Sequence, residues 1–198
     1  MDRIQMLNRA LMRIGAEPLV TEADAGAPVH LAVYDSMLER FAAHPWSFMN
    51  TTQQLLRLAA APVPAHFKYA YQMPVLLGAP RAVYDRPDKR EPITAYDLES
   101  GVLLCDSAQI WLRFMRPVSP ARWPGDFREA FVTALMAELS LSIREDRALH
   151  DRLYAKAFGS PQQMGQGGLY GMAMENDAQG TPSSIVGGGV NPLIDVRF

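Results

Sequence analysis

Ile4, Leu7, Leu11 and Ile14 recur at the spacing that puts side chains on one face of a helix. Asp2 before them reads as an N-cap, and Gly15 and Pro18 after them as a stop, giving a helix over about 2–15. Pro28 suits the first turn of a second helix over about 28–44, with Leu31, Tyr34, Leu38 and Phe41 inward and His44-Pro45 as its end. The period then changes. Phe67, Tyr69, Tyr71 and Met73 alternate with Lys68, Ala70 and Gln72, a strand signal. Residues 93–106 read as a hairpin turning at Ser100-Gly101, and Ile110, Leu112 and Phe114 alternate with Trp111, Arg113 and Met115. A small antiparallel sheet of three or four strands is expected over about 67–116, with the charged stretch 85–91 as an exposed loop. Helix returns over about 126–144, where Phe127, Phe131, Leu135, Leu139 and Ile143 step by four and Asp126 and Glu129 have capping-box spacing. A last helix, about 146–158, turns Leu149, Leu153 and Ala157 inward and stops at Gly159. The expected class is α+β, mainly α. A four-helix body over 1–158 carries the β insertion, and an extended arm follows over 159–198.

That arm holds nine of the chain's fourteen glycines. Glycine loses the most backbone entropy on ordering, so Gly165-Gln166-Gly167-Gly168 reads as plain flexibility and residues 159–182 as a tether. A solvated linker has no need of the apolar residues that follow, Ile185, Val186, Val190, Leu193, Ile194, Val196 and Phe198. They point to a segment that orders only against another copy of the chain or a different protein, a frayed terminus being the plainer alternative.

Composition narrows the chemistry. An apolar fraction of 48% with 20% charged residues is that of an ordinary globular protein, and a net charge of −2 gives no footprint of general nucleic-acid binding. One cysteine, Cys105, excludes an intrachain disulfide framework and a multi-cysteine zinc site. The N-terminal residues lack a signal-peptide core and no run suits a membrane span, so a soluble, cytoplasmic chain is expected unless it leaves in an assembly. His30, His44, His66 and His150 are scattered. His150 and Asp151, as sequence neighbours on a helix, make a poor dyad, and Glu22 and Asp24 read as solvated loop residues. Trp46 is expected to cap the helical core, Trp123 to staple the third helix, and the methionines to fill gaps. No catalytic, cofactor-binding or metal-ligating residue is expected. Trp111 and Met115, opposite the Ile110 face, are candidates for subunit contact.

Several segments resemble one family in order. The residues 7–19, Leu-Asn-Arg-Ala-Leu-Met-Arg-Ile-Gly-Ala-Glu-Pro-Leu, resemble the opening of tail tubular protein A, the head-to-tail adaptor of short-tailed bacteriophages. Pro45-Trp46-Ser47-Phe48 is similar to that family's Pro-Trp-x-Phe after the second helix. The likeness continues at residues 67–74, 96–104, 110–114 and 124–131, so that it spans roughly 4–158. The resemblance implies a non-enzymatic structural protein with a helical body and a β insertion. It implies a ring, matching the portal's twelve-fold symmetry, between the portal protein and the tail nozzle or another neck protein, with double-stranded DNA passing through. The chain would then reside in the virion neck, and in host cytoplasm during assembly. The seven apolar arm residues named above would contact the portal. The glycine-rich arm is where the chain departs from the family pattern. Two other readings stand beside this one: a non-viral regulatory module whose arm docks on a partner, and a small hydrolase using Glu22 or Asp35 with a histidine.

Overall fold

A computed structural model describes residues 2–24, 26–59, 66–89 and 91–180. Helix α1 (Arg3–Arg13) starts at a full capping box: Asp2 accepts from the Gln5 backbone N–H at 2.8 Å, and Gln5 accepts from that of Asp2 at 2.9 Å. It buries Met6, Leu7, Ala10 and Leu11, and Gly15 leaves it at φ +73°. Asn8 then exchanges two 2.7 Å hydrogen bonds with the backbone of Leu19, which folds the following loop back onto the helix. Helix α2 (Ala27–Phe41) carries Pro28 in its first turn and buries Tyr34, Met37 and Phe41.

Helix α3 (Gly125–Arg144) is the axis of the body. Its buried residues, among them Phe127, Ala130, Phe131, Val132, Ala134, Leu135, Ala137 and Leu139, lie on more than one face, because α1, α2 and the two later helices all pack on it. The expected capping box does not form. Asp126 bonds its neighbour's N–H, on Phe127, and Glu129 instead takes Arg9 at 2.9 Å and Arg13 at 2.6 Å from α1. The hydrogen bond from Arg13 is the largest cause holding the Glu129 carboxyl below its ordinary range, against the opposing effect of burial, and the charges of Arg13 and Arg9 add to it. Glu145 (φ +53°) turns the chain into α4 (Arg147–Phe158), which Asp146 caps by accepting from the Leu149 N–H at 2.9 Å.

The described part of the expected tether is ordered. Helix α5 (Gly168–Gly180) lies against α3 and α4 and buries Tyr170 and Ala173. Five helices are therefore described, not four. The glycines leading into α5 serve packing. Gly159, Gly165 and Gly168 have φ of +80°, +75° and +58°. A Cβ on Gly168 would lie 2.5 Å from the carbonyl oxygen of Lys156, and one on Gly171 would lie 2.4 Å from that of Gln166. The Gly167 N–H donates to Phe158 at 2.9 Å, closing a compact turn between α4 and α5. Glycine here permits close backbone approach, which outweighs the entropy it loses.

Between α2 and α3 lie seven short strands. They are β1 (Asn50–Gln54), β2 (Tyr69–Gln72), β3 (Ala82–Tyr84), β4 (Pro92–Ile93), β5 (Tyr96–Glu99), β6 (Val102–Cys105) and β7 (Trp111–Met115). They form two antiparallel sheets, ordered β1-β7-β3-β4 and β2-β6-β5. The single expected sheet is thus two, and the insertion begins at residue 50, ahead of the expected 67. The hairpin turns where expected, with Ser100 and Gly101 at φ +49° and +80°, the pair of positive values that a tight two-residue turn needs. Val83, Leu112 and Phe114 from one sheet and Tyr71, Leu103 and Cys105 from the other share a second core. The α+β class is established, with one core in the helical body and one in the insertion.

Candidate functional site

The seven arm residues expected to bind a partner, Ile185, Val186, Val190, Leu193, Ile194, Val196 and Phe198, lie outside the described residues. The two candidates for subunit contact separate. On β7, Leu112 and Phe114 enter the second core, so Trp111 and Arg113 project from the opposite face. Trp111 is half-buried, opposite Gln54 of β1 and Tyr84 of β3, and the exposed Arg113 is opposite Thr52 and Ala82. Met115 shares that face but is fully buried. Its methyl carbon sits by Gly78, and its side chain packs in the cluster that fills the helical body. Met115 belongs to the helical core and offers no surface to a neighbour. Trp111 keeps an accessible edge, flanked by Thr52, Gln54 and Arg113.

The residues that carry the resemblance hold the body together. Trp46 is wholly buried and its ring N–H donates to the Phe41 carbonyl at 2.7 Å. Its ring meets Phe127 edge-on with centroids 4.7 Å apart, and Trp123 stands at 4.9 Å from Phe127 and from Phe131. Trp123 thus staples the start of α3 as expected, its own N–H donating to Val118 at 2.8 Å. Asn8, Arg9 and Arg13 make the loop and ion-pair contacts described above.

The C-terminal turn of α5 forms a polar cluster with the segment that follows α2. Asp177 accepts from the Ser47 N–H at 3.0 Å and from its hydroxyl at 2.5 Å, and His44 Nε2 lies 3.6 Å from the same carboxylate. Asn176 donates to Asp126 at 3.0 Å. Serine, histidine and aspartate meet here, but the carboxylate stands between the other two. A hydrolytic triad needs the imidazole in the middle, with the hydroxyl on one side and the carboxylate on the other. The cluster fastens α5 to the body. Of the residues named for a hydrolase, Asp35 is engaged by Arg3 at 2.5 Å and Glu22 is exposed. Asp24 is not simply solvated: it accepts from Val20 N–H, Thr21 N–H and the Thr21 hydroxyl, which lowers its carboxyl pKa and fixes the turn. His150 Nδ1 and Asp151 do meet, at 3.0 Å, on an outer face of α4 where Asp151 is exposed. Cys105 is buried, and burial pushes its thiol up, away from the reactive thiolate. Among the described residues no group of three or more His, Cys, Asp or Glu is placed to hold a metal ion, and no helix is long and apolar enough to cross a membrane.

Burial lowers the His44 pKa below its ordinary 6.5, an effect that the nearby Asp177 opposes without cancelling, and burial lowers that of His30 as well. The unfolded chain therefore binds these protons more readily than the folded one. The associated stability is fully present above the ordinary histidine range and is lost as pH falls through it. The melting temperature is expected to drop between about pH 7.5 and 5.5, within the reach of these groups. The drop should be shallower in His44→Gln, as measured by thermal unfolding across that range. A melting temperature that is flat over the range, or an unchanged slope in the variant, would contradict the assignment.

No family model and no curated protein matches the chain.

Proposed function

We propose that this chain is a head-to-tail adaptor subunit of a tailed-phage neck, a structural protein that closes into a twelve-membered ring between portal and tail. The observation that carries this reading is the ordered series of resembling segments across residues 4–158. A β insertion between two helical pairs, α1–α2 and α3–α4, is also the architecture the resemblance implies. The accessible edge of Trp111, with Arg113, Thr52 and Gln54, is the surface we assign to a neighbouring subunit, a heterologous contact of the kind that builds rings. The segment 185–198 is assigned to the portal. A mildly acidic chain suits a lumen through which DNA slides without tight binding, because affinity for duplex DNA rises with the number of phosphates neutralised.

Mixing the purified protein with its cognate portal and imaging the product by electron microscopy tests the reading. A ring of adaptor subunits seated on the portal is the expected result. Trp111→Ala should weaken ring closure while leaving the fold intact. A neck assembly containing this chain as a monomer or isolated dimer would overturn the proposal.

A further inference from the structure

Strand β1 stands at one end of its sheet, with β7 on one side and no described element running along the other. The hydrogen bonds at its two ends fix which backbone groups face outward. Arg116 donates to the Met49 carbonyl at 3.1 Å and Leu55 to that of Ile110 at 3.0 Å, so the odd-numbered residues of this strand bond to β7. The N–H groups of Thr52 and Gln54, and the carbonyls of Asn50, Thr52 and Gln54, therefore point the other way. Among the described residues these groups have no hydrogen-bond partner. Further along, the same side of the chain is covered, since Leu58 donates to Ala70 at 2.8 Å and Gln72 to Leu56 at 3.0 Å. Continued in register, β2 would set Pro74 opposite Gln54, and a proline has no N–H to give. The pairing stops there and leaves β1 open.

The other strand edges are closed to a newcomer. Strand β4 is two residues long and begins with Pro92. Strand β5 carries Asp97 and Glu99, and its outward N–H groups are already engaged: Leu98 donates to the Asp97 carboxylate at 2.8 Å and Tyr96 to the Thr94 carbonyl at 3.2 Å. Proline, short length and charge are the usual guards of an edge. Strand β1, Asn-Thr-Thr-Gln-Gln, has none of them, and its register with β7 runs without a bulge. An unpaired, unguarded edge is a template for an added strand. In a second copy, the described edge able to supply that strand is β1 itself.

We propose that β1 pairs with β1 of a second copy, antiparallel and centred on Thr52. Each Thr52 exchanges backbone bonds with its counterpart, and each Gln54 N–H donates to the Asn50 carbonyl opposite. The two β1-containing sheets then run on as one. Thr52 faces Thr52 and the Asn50 amide faces that of Gln54, so uncharged, hydrogen-bonding side chains meet across the pair. The nearest cations on that face, Arg113 and its counterpart, are three strand spacings apart, roughly 14 Å, and the Debye length of about 8 Å screens them. A contact built on a few backbone bonds forms at high protein concentration and parts on dilution. Under the adaptor reading, Thr52 and Gln54 belong to the surface assigned to a ring neighbour, so this pair must part before the ring closes. The pair itself requires neither ring nor portal.

Residue-resolved amide exchange on the isolated full-length protein tests this. When protein concentration rises about a hundredfold, exchange at Thr52 and Gln54 is expected to slow about fivefold or more, while Thr51 and Gln53, bonded to β7, stay unchanged. Sedimentation should show monomer passing to dimer over the same range. Thr52→Pro removes an N–H that bonds to nothing in the single chain, so it should abolish the dimer while α3 stays as protected as before. Thr52→Lys sets like charges face to face without touching the ladder and should do the same, whereas Thr52→Val keeps the N–H and should keep the dimer. Exchange at Thr52 and Gln54 that ignores concentration, whether fast or slow, would overturn the proposal. So would a dimer that survives either Thr52→Pro or Thr52→Lys, or a larger closed species in its place. None of these outcomes depends on whether the chain binds a portal.

Discussion

Phe127→Ala is expected to destabilise the chain by about 3–5 kcal/mol, the range for deleting a fully buried aromatic ring. Phe127 is 1% exposed at the first turn of α3. Its ring meets Trp46 at 4.7 Å, Trp123 at 4.9 Å, Phe48 at 5.0 Å and Phe41 at 5.3 Å, with Phe131 stacked at 6.1 Å. Removing it leaves a cavity walled by rings that are themselves packed on other rings, so the site has little freedom to collapse. It also removes several edge-to-face contacts worth about 0.5–1.5 kcal/mol each beyond burial. At about 2–4 °C per kcal/mol for a chain of this size, the melting temperature should fall by on the order of 10 °C. Leu56→Ala is the control. Leu56 is 79% exposed, and its loss should change stability by no more than about 0.5 kcal/mol. Equal melting temperatures for Phe127→Ala and the parent would show that the aromatic cluster does not hold the body together.

That cluster was partly legible in the sequence. The stepping of Phe127, Phe131, Leu135 and Leu139 by four marks one face of a helix, and the structure buries all four. The same periodicity gave α1, α2 and α4 to within a few residues, because each leaves a polar face to solvent. It failed for Ile143, which is 39% exposed in the last turn of α3, beyond the core. Strand β1 was hidden for a different reason. Asn50-Thr51-Thr52-Gln53-Gln54 has no apolar alternation, and its pairing with β7 comes from a partner about sixty residues away. Met115 was misassigned because alternation tells the two faces of a strand apart but not which ground each faces. At the sheet's inner end, the second face meets the helical body. Glu129 sits at capping-box spacing yet serves as the anchor for two arginines of α1, a long-range pairing that local spacing does not reveal. Trp46, Phe48 and Phe127 were recognisable as aromatic packing residues, but α5, which packs on α3 beside them, was not, because its glycines argued against any helix.

Gly168→Ala is expected to undock α5, and it tests that last point directly. Gly168 has φ +58°, a conformation that costs a residue with a Cβ roughly 1–2 kcal/mol. Steric overlap adds to this. The new Cβ would lie 2.5 Å from the Lys156 carbonyl oxygen, 2.8 Å from the Gly159 nitrogen and 2.9 Å from the Ala157 carbonyl carbon. All three are backbone atoms at the end of α4, so no side chain can swing aside and the two chain segments must separate. Separation at this turn lifts the start of α5. It draws Tyr170 away from Phe41, whose ring centroid lies at 4.8 Å, and from Phe158 at 5.7 Å, and it strains the bridges from Asp177 to Ser47 and from Asn176 to Asp126. The helical face of α3 under α5 is then exposed. The expected result is a loss of about 3 kcal/mol or more, with amide exchange accelerating over 168–180 before it does in α1 or the first half of α3. Gly125→Ala is the matched control. It has open space where the Cβ would sit and no positive φ, so it should stay within about 0.5 kcal/mol of the parent. A tether would tolerate both substitutions alike. If Gly168→Ala melts with the parent and α5 keeps its protection, then the close backbone approach at Gly168 is not what holds the turn between α4 and α5.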